Sequence, residues 1–222
     1  MIYMSPQSRI TRPLSSRWGY ILTPKSRASV RDDNRYWCAD NGIYTARFQW
    51  DGYYSWLIKM MPYRARCLFV TAPDVVGNAV ATLDRYRYYA WRIKELGFPV
   101  ALVAQDGLEN LPWPPEYDVL FIGGSTSWKL GPEAAWCITH AKKHSKWVHI
   151  GRVNSRKRIL HFRHLDADSA DGTAVCFEPD AAYTWINSAL TEPLQTYPDR
   201  RDGLRPAPVR DASATDFPET CW

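Results

Sequence analysis

Cys67-Leu68-Phe69-Val70-Thr71-Ala72 is a continuous apolar run that stops at Pro73-Asp74, and the same pattern then recurs. Val100-Ala101-Leu102-Val103-Ala104 closes at Gln105-Asp106-Gly107, Asp118-Val119-Leu120-Phe121-Ile122 at Gly123-Gly124-Ser125, and Trp147-Val148-His149-Ile150 at Gly151-Arg152. Short apolar runs bounded by Pro, Gly and Asp read as strands buried on both faces. Helical patterns lie between them. Residues 78–96 place Val80, Leu83, Tyr86, Ala90 and Ile93 on one face, with Asn78 as N-cap and Gly97 and Pro99 as terminators. Further helices are predicted over 131–143 and, rich in base, over 155–162. Strands alternating with helices predict a parallel sheet covered by helices.

The pattern extends in both directions. Trp18 to Pro24 and Tyr36 to Asp40 read as strands, the second broken by Asn41-Gly42. Residues 25–35 form a charged loop, and Tyr54, Leu57, Ile58 and Met61 recur at helical spacing. Residues 1–16 are polar and Arg-dotted and are expected to be loose. Beyond the basic helix come a weak strand near Asp168, an apolar segment over 173–177 and a helix over 180–190. From residue 191 to 222, Pro, Asp and Arg predominate, and this segment is expected to be a mobile tail. Seven or eight strand–helix units in ~190 residues predict an α/β fold, a small TIM-like (β/α)8 barrel over 17–190, complete or with a unit missing. A doubly wound open sheet is the alternative, although the glycine fingerprint of a dinucleotide site is absent.

Composition narrows the function. The chain has 222 residues and a net charge of +5, from 28 Lys and Arg against 23 Asp and Glu. One domain is expected, mildly basic and compatible with a nucleic-acid partner. No apolar run approaches ~18 residues and the N-terminus lacks a signal-peptide core, so no membrane association is expected. Cys38, Cys67, Cys137, Cys176 and Cys221 are isolated. No metal and no redox dithiol is predicted, and scattered thiols fit a reducing cytoplasm. Eleven Trp and thirteen Tyr offer flat surfaces for packing or for stacking on bases.

Polar residues gather at the predicted strand ends: Asp40 and Asn41, Asp74, Gln105, Gly123 and Gly124, Gly151, and Asp168 at the weak strand. In a parallel barrel those ends form one rim, where active sites lie. A carboxylate cluster without histidine ligands suits acid–base or nucleophilic work. Each residue alone has an ordinary role, such as Asp74 or Asp168 as a helix N-cap or Gly123-Gly124 as a tight turn. Their occurrence at successive strand ends favours a site. Arg152, Arg156, Lys157, Arg158 and Arg163 follow a strand end, where a phosphate backbone would be neutralised. Trp128 and Arg152 are candidate contacts to flanking nucleotides. Lys142, Lys143 and Lys146 are expected to be solvated surface.

The order Asp-Asn-Gly-x-Tyr, Pro-Asp, Val-Ala-Gln, Ile-Gly-Gly-Ser, Ile-Gly-Arg, Asp-Ser resembles the guanine transglycosylases, which install 7-deazaguanine bases. It is most similar to the short phage-type enzymes that act on DNA. The resemblance covers roughly residues 17 to 178. It implies that Asp40 is a general base, that Asn41 lines the same pocket and that Tyr44 stacks on the base. Asp74 would take the base's Watson–Crick edge and Gln105 its carbonyl, while Gly123, Gly124 and Gly151 line the pocket. Asp168, in Asp168-Ser169-Ala170, would be the nucleophile. Where tRNA enzymes continue with Pro-Thr-Arg, this chain has Asp171-Gly172-Thr173, which leaves Asp166 and Asp171 as alternative nucleophiles. The zinc lobe of the tRNA enzymes is missing, which favours DNA over tRNA as substrate. The implied activity is that of a pentosyltransferase: exchange of guanine in DNA for a free base such as preQ0, through a covalent aspartyl intermediate and without cofactor. It would proceed in the cytoplasm of a bacterium or phage-infected cell. Base hydrolysis by an N-glycosidase and an inactive nucleic-acid-binding barrel are the competing functions, and the oligomeric state is open.

Overall fold

The computed structural model describes residues 1–6, 14–26, 34–43 and 48–194. Eight parallel strands close into a barrel in chain order. They are β1 (Ile2–Ser5), β2 (Trp18–Leu22), β3 (Trp37–Ala39), β4 (Cys67–Thr71), β5 (Val100–Ala104), β6 (Val119–Ile122), β7 (Trp147–Ile150) and β8 (Ser169–Asp171). The helices are α1 (Trp50–Met60), α2 (Ala79–Glu95), α3 (Thr126–Lys129), α4 (Pro132–Lys143), α5 (Arg156–His164), α6 (Ala174–Phe177) and α7 (Pro179–Thr191). The closed barrel displaces the open-sheet alternative.

The run of apolar residues in each strand follows from burial on both faces. In β5, Ala101 and Val103 point into the barrel, where they join Met4, Cys38, Phe69, Val119 and Phe121. Val100, Leu102 and Ala104 point outward against the helices. The interior is therefore packed side chain, not a pore. Asn78 caps α2 through its side-chain oxygen, which accepts from the Ala81 N–H at 2.9 Å. Two helix faces differ from the predicted ones. On α2, Ala79 and Thr82 are buried while Val80 is 57% exposed; on α1, Tyr53 takes the buried place and Ile58 is exposed. The apolar segment over 173–177 contains the short helix α6.

The chain's beginning corrects the expectation for residues 1–16. Ile2–Ser5 is the closing strand, paired with β2 through Tyr3 and Trp18 and with β8 through Tyr3 and Ala170. Tyr3 and Met4 are fully buried. The barrel thus runs from Ile2 through α7, not from residue 17. Of the expected tail, residues 195–222 lie outside the described residues.

Much of the aromatic surplus is used for packing, while Tyr36, Tyr88 and Trp91 stay exposed. Trp18 and Trp37 are buried, Trp37 meets Trp56 and Phe98 edge to face, and Trp18 packs on Tyr3 and Tyr183. Their indole N–H groups are paired, Trp18 to the Asn187 side chain and Trp37 to the Tyr63 carbonyl, as buried indoles require. Among the described residues, no helix is long and apolar enough to cross a membrane.

Candidate active site

The carboxyl ends of the strands bring together most of the residues expected there. Asp40 directly follows β3, and its Oδ1 accepts from the Gly42 N–H at 2.9 Å, an Asx turn, and Gly42 then takes φ +72°. Asn41 and Asp74 follow β3 and β4, and Gln105 follows β5. These three form one buried network: the Asn41 and Gln105 amides donate to opposite oxygens of Asp74, each at 2.8 Å. Asn41 Nδ2 also donates to the Ala72 carbonyl, and Gln105 Oε1 accepts from the Gly77 N–H. Burial raises the proton affinity of Asp74, and the two amide donors oppose that rise.

Asp40 is the more perturbed carboxylate. Burial pushes its pKa up to about 6, against the Gly42 hydrogen bond and in the same sense as the charges of Asp171 and Asp74. A carboxyl group poised there can hold or release a proton near neutrality. It also makes Asp40 a stability liability. The folded state holds this proton more tightly than the unfolded chain, whose carboxyl has the ordinary value of 3.8. The group's stabilising share is therefore complete below pH ~4 and is lost as the pH rises through 6. Asp40→Asn keeps an oxygen for Gly42 and carries no charge. In urea unfolding it is expected to be more stable than wild type by about 1–3 kcal/mol at pH 8, with the gain vanishing near pH 4. Equal stability at pH 8 would show that the Asp40 charge is not strained by burial.

Asp168 is not at this rim. It precedes β8, and its carboxylate accepts from Lys142 Nζ at 2.8 and 2.9 Å and from the Val148 N–H at 2.7 Å. Lys142 closes the last turn of α4, which runs antiparallel to the strands, so this cluster marks the amino-terminal end of the barrel. Asp166 lies in the same cluster, 3.5 Å from Lys142. Lys142 is accordingly half of an ion pair, not free solvating surface. The carboxylate of this segment that reaches the mouth is Asp171, the last residue of β8, about 10 Å further along at ~3.3 Å per residue. Asp171 Oδ1 accepts from the Arg152 backbone N–H at 3.1 Å, and Oδ2 from His149 Nε2 at 2.9 Å.

The glycines have steric reasons of their own. A Cβ on Gly151 would stand 2.7 Å from the Phe121 ring. Gly124 has φ +43°, and a Cβ there would lie 2.4 Å from the Trp128 ring. Gly123 is similarly hemmed in by Val103 and Gln105. Gly123-Gly124 is thus the tight turn that its simplest interpretation suggests, with its amides at the rim. Trp128 is turned inward, 8% exposed, and its indole donates to Glu109, so it is not placed for contact with a flanking nucleotide. Tyr44 lies outside the described residues.

Two cations brace the rim. Arg152 donates to the Gly123 and Gly124 carbonyls, while Lys129, only 4% exposed, donates to the Gly151 carbonyl. Burial lowers the Lys129 pKa to about 7, helped by Arg152 and opposed by Asp171. Arg156 and Lys157 are exposed at the start of α5 and line a groove on the outer flank of the barrel, where Arg156 pairs with Glu192; Arg158 is half-buried. His149 and Lys129 escape sequence reasoning. His149 carries one signal, a polar residue on the inward phase of the otherwise apolar Trp147-Val148-His149-Ile150; Lys129 carries none. Among the described residues, no three His, Cys, Asp or Glu side chains form a metal-holding group. No family model matches the chain, and no curated protein matches it.

Proposed function

We propose that the chain exchanges a nucleobase in DNA, replacing guanine with a 7-deazaguanine through a glycosyl–aspartyl intermediate on Asp171. The observation that carries this proposal is the pairing, at one rim, of an anchored carboxylate with a second whose pKa is raised into the neutral range, Asp171 with Asp40. An anchored, ionised carboxylate suits attack on C1′, and a protonatable one suits the leaving base. Asp171 forms a bond to C1′ as the bond to N9 breaks, and the electron pair leaves with guanine, which takes the proton of Asp40. The incoming base returns its N9 proton to Asp40, attacks C1′ and releases Asp171. Asp74 has lone pairs beyond the two it uses, and Gln105 a second amide proton; both remain for the edge of a base. Asn41, with both amide protons spent, orients Asp74.

The motif order described above supports guanine as the substrate base. Exposed Arg156 and Lys157, at the mouth end of α5, support a phosphate backbone as its carrier. Incubation with labelled guanine or labelled preQ0, together with duplex DNA or tRNA, tests the proposal. Label is expected in DNA. Label in tRNA alone would change the substrate, and release of guanine without incorporation would make the protein a hydrolase.

A further inference from the structure

His149 is fully buried inside the barrel, its ring packed in a triangle with Phe69 and Phe121, whose centroids lie 4.8 and 4.7 Å from it. Both ring nitrogens are engaged. Nδ1 is 2.8 Å from Ser169 Oγ and Nε2 is 2.9 Å from Asp171 Oδ2. Ser169 Oγ also accepts from the Trp147 indole N–H at 2.9 Å. One arrangement gives every proton in these contacts an acceptor. An indole N–H only donates, so the Ser169 oxygen accepts from Trp147, and the acceptor within reach of the Ser169 hydroxyl proton is His149 Nδ1. With Nδ1 accepting, the neutral ring carries its proton on Nε2, and that proton points at Asp171.

We propose that His149 is a positioning residue for the reaction: through Nε2–H it fixes Asp171 Oδ2 and, with the Arg152 N–H on Oδ1, holds the carboxylate in the orientation from which it attacks C1′. The inference rests on Asp171 being the attacking carboxylate. Half-buried Trp147 and buried Ser169 set the tautomer, and Phe69 and Phe121 pack against the imidazole on one side. Partners one layer behind a metal ligand fix its orientation, and their loss commonly lowers activity 10–100-fold; a loss of the same order is expected here. His149 itself, shut below the rim, touches no substrate.

The test has three arms. In wild type, the adduct on guanine-containing DNA is mapped by peptide sequencing. An adduct on another residue would remove this role and leave base exchange standing; no adduct at all would remove the base-exchange reading, and this role with it. Imidazole nitrogen NMR is expected to show His149 protonated on Nε2; a proton on Nδ1 alone would overturn the proposed direction, whatever the reaction. Variants then separate positioning from packing. His149→Phe keeps an aromatic ring in this cluster and loses the donor, and is expected to lower kcat for base exchange by about 10²-fold with KM for the base within about twofold. His149→Gln, long enough to place an amide N–H near the Nε2 position, is expected to recover most of that loss. Unchanged kcat in His149→Phe, or a Gln variant no better than Phe, would overturn the role. Should His149→Phe fail to fold, Ser169→Ala replaces it: a mixed tautomer and a several-fold lower kcat are expected, and no change in either would overturn the proposal.

Discussion

Asp171→Asn is expected to leave no covalent adduct on DNA and to lower base exchange by ~10³-fold or more, while the barrel still folds. An amide is a poor nucleophile toward C1′, so no second group takes over the displacement. The contacts that hold the residue survive in part, because the amide oxygen can still accept from His149 Nε2 or from the Arg152 N–H, so a large loss of activity would be chemical. The control is Asp168→Ala. Asp168 is bound to Lys142 and to the Val148 N–H at the opposite end of the barrel. Its removal is expected to destabilise the protein by about 1.5–3 kcal/mol, the range for hydrogen bonds to a charged group, and to leave the adduct in place. Denaturing gels of both variants on guanine-containing DNA, with melting curves alongside, decide the matter. An adduct that persists in Asp171→Asn and vanishes in a folded Asp168→Ala would return the nucleophile to Asp168.

Deleting residues 1–6 is expected to abolish cooperative unfolding altogether. The deletion removes β1, so β2 and β8 each lose a partner strand and the barrel opens. It removes Met4 from the interior and Tyr3 from the outer core, where Tyr3 packs on Trp18 and donates to the Val153 carbonyl at 3.1 Å. Truncating a buried side chain of this size costs about 2–5 kcal/mol. Two such losses, with the strand's ladder bonds, reach the ~5–15 kcal/mol that holds a domain of this kind folded. Near-UV circular dichroism and a thermal melt would show it. A truncated chain that melts sharply at the wild-type temperature would mean that β1 is dispensable.

Much of the architecture was legible because burial on both faces writes itself into composition. Residues 67–72, 100–104 and 118–122 could be identified as parallel strands from apolar content alone, and the punctuation after each located the rim. Asp40, Asn41, Asp74, Gln105 and Gly123 were therefore found from chain order, without knowledge of their contacts. β1 was not legible. Ile2-Tyr3-Met4-Ser5 is four residues long beside a polar, Arg-dotted stretch, and its strand character comes from two neighbours far away in sequence. The exposure of Val80 and Ile58 likewise depends on how α2 and α1 sit on the barrel, which helical spacing does not specify.

The proposed nucleophile shows the division most clearly. Sequence alone determined that an aspartate-rich turn follows the basic helix, with Asp166, Asp168 and Asp171 as candidates. It could not say which end of the barrel each occupies, because Ser169-Ala170-Asp171 is too short and too polar to carry a periodic signal. Only the tertiary structure decided, through pairing: β8 aligns His149 with Ser169 and Ile150 with Ala170, which leaves Asp168 beside Lys142 at the amino-terminal end and brings Asp171 to the mouth. Strand register is set by neighbours on both sides of the barrel. A three-residue strand inherits its position from them, and with it the chemistry of its two ends.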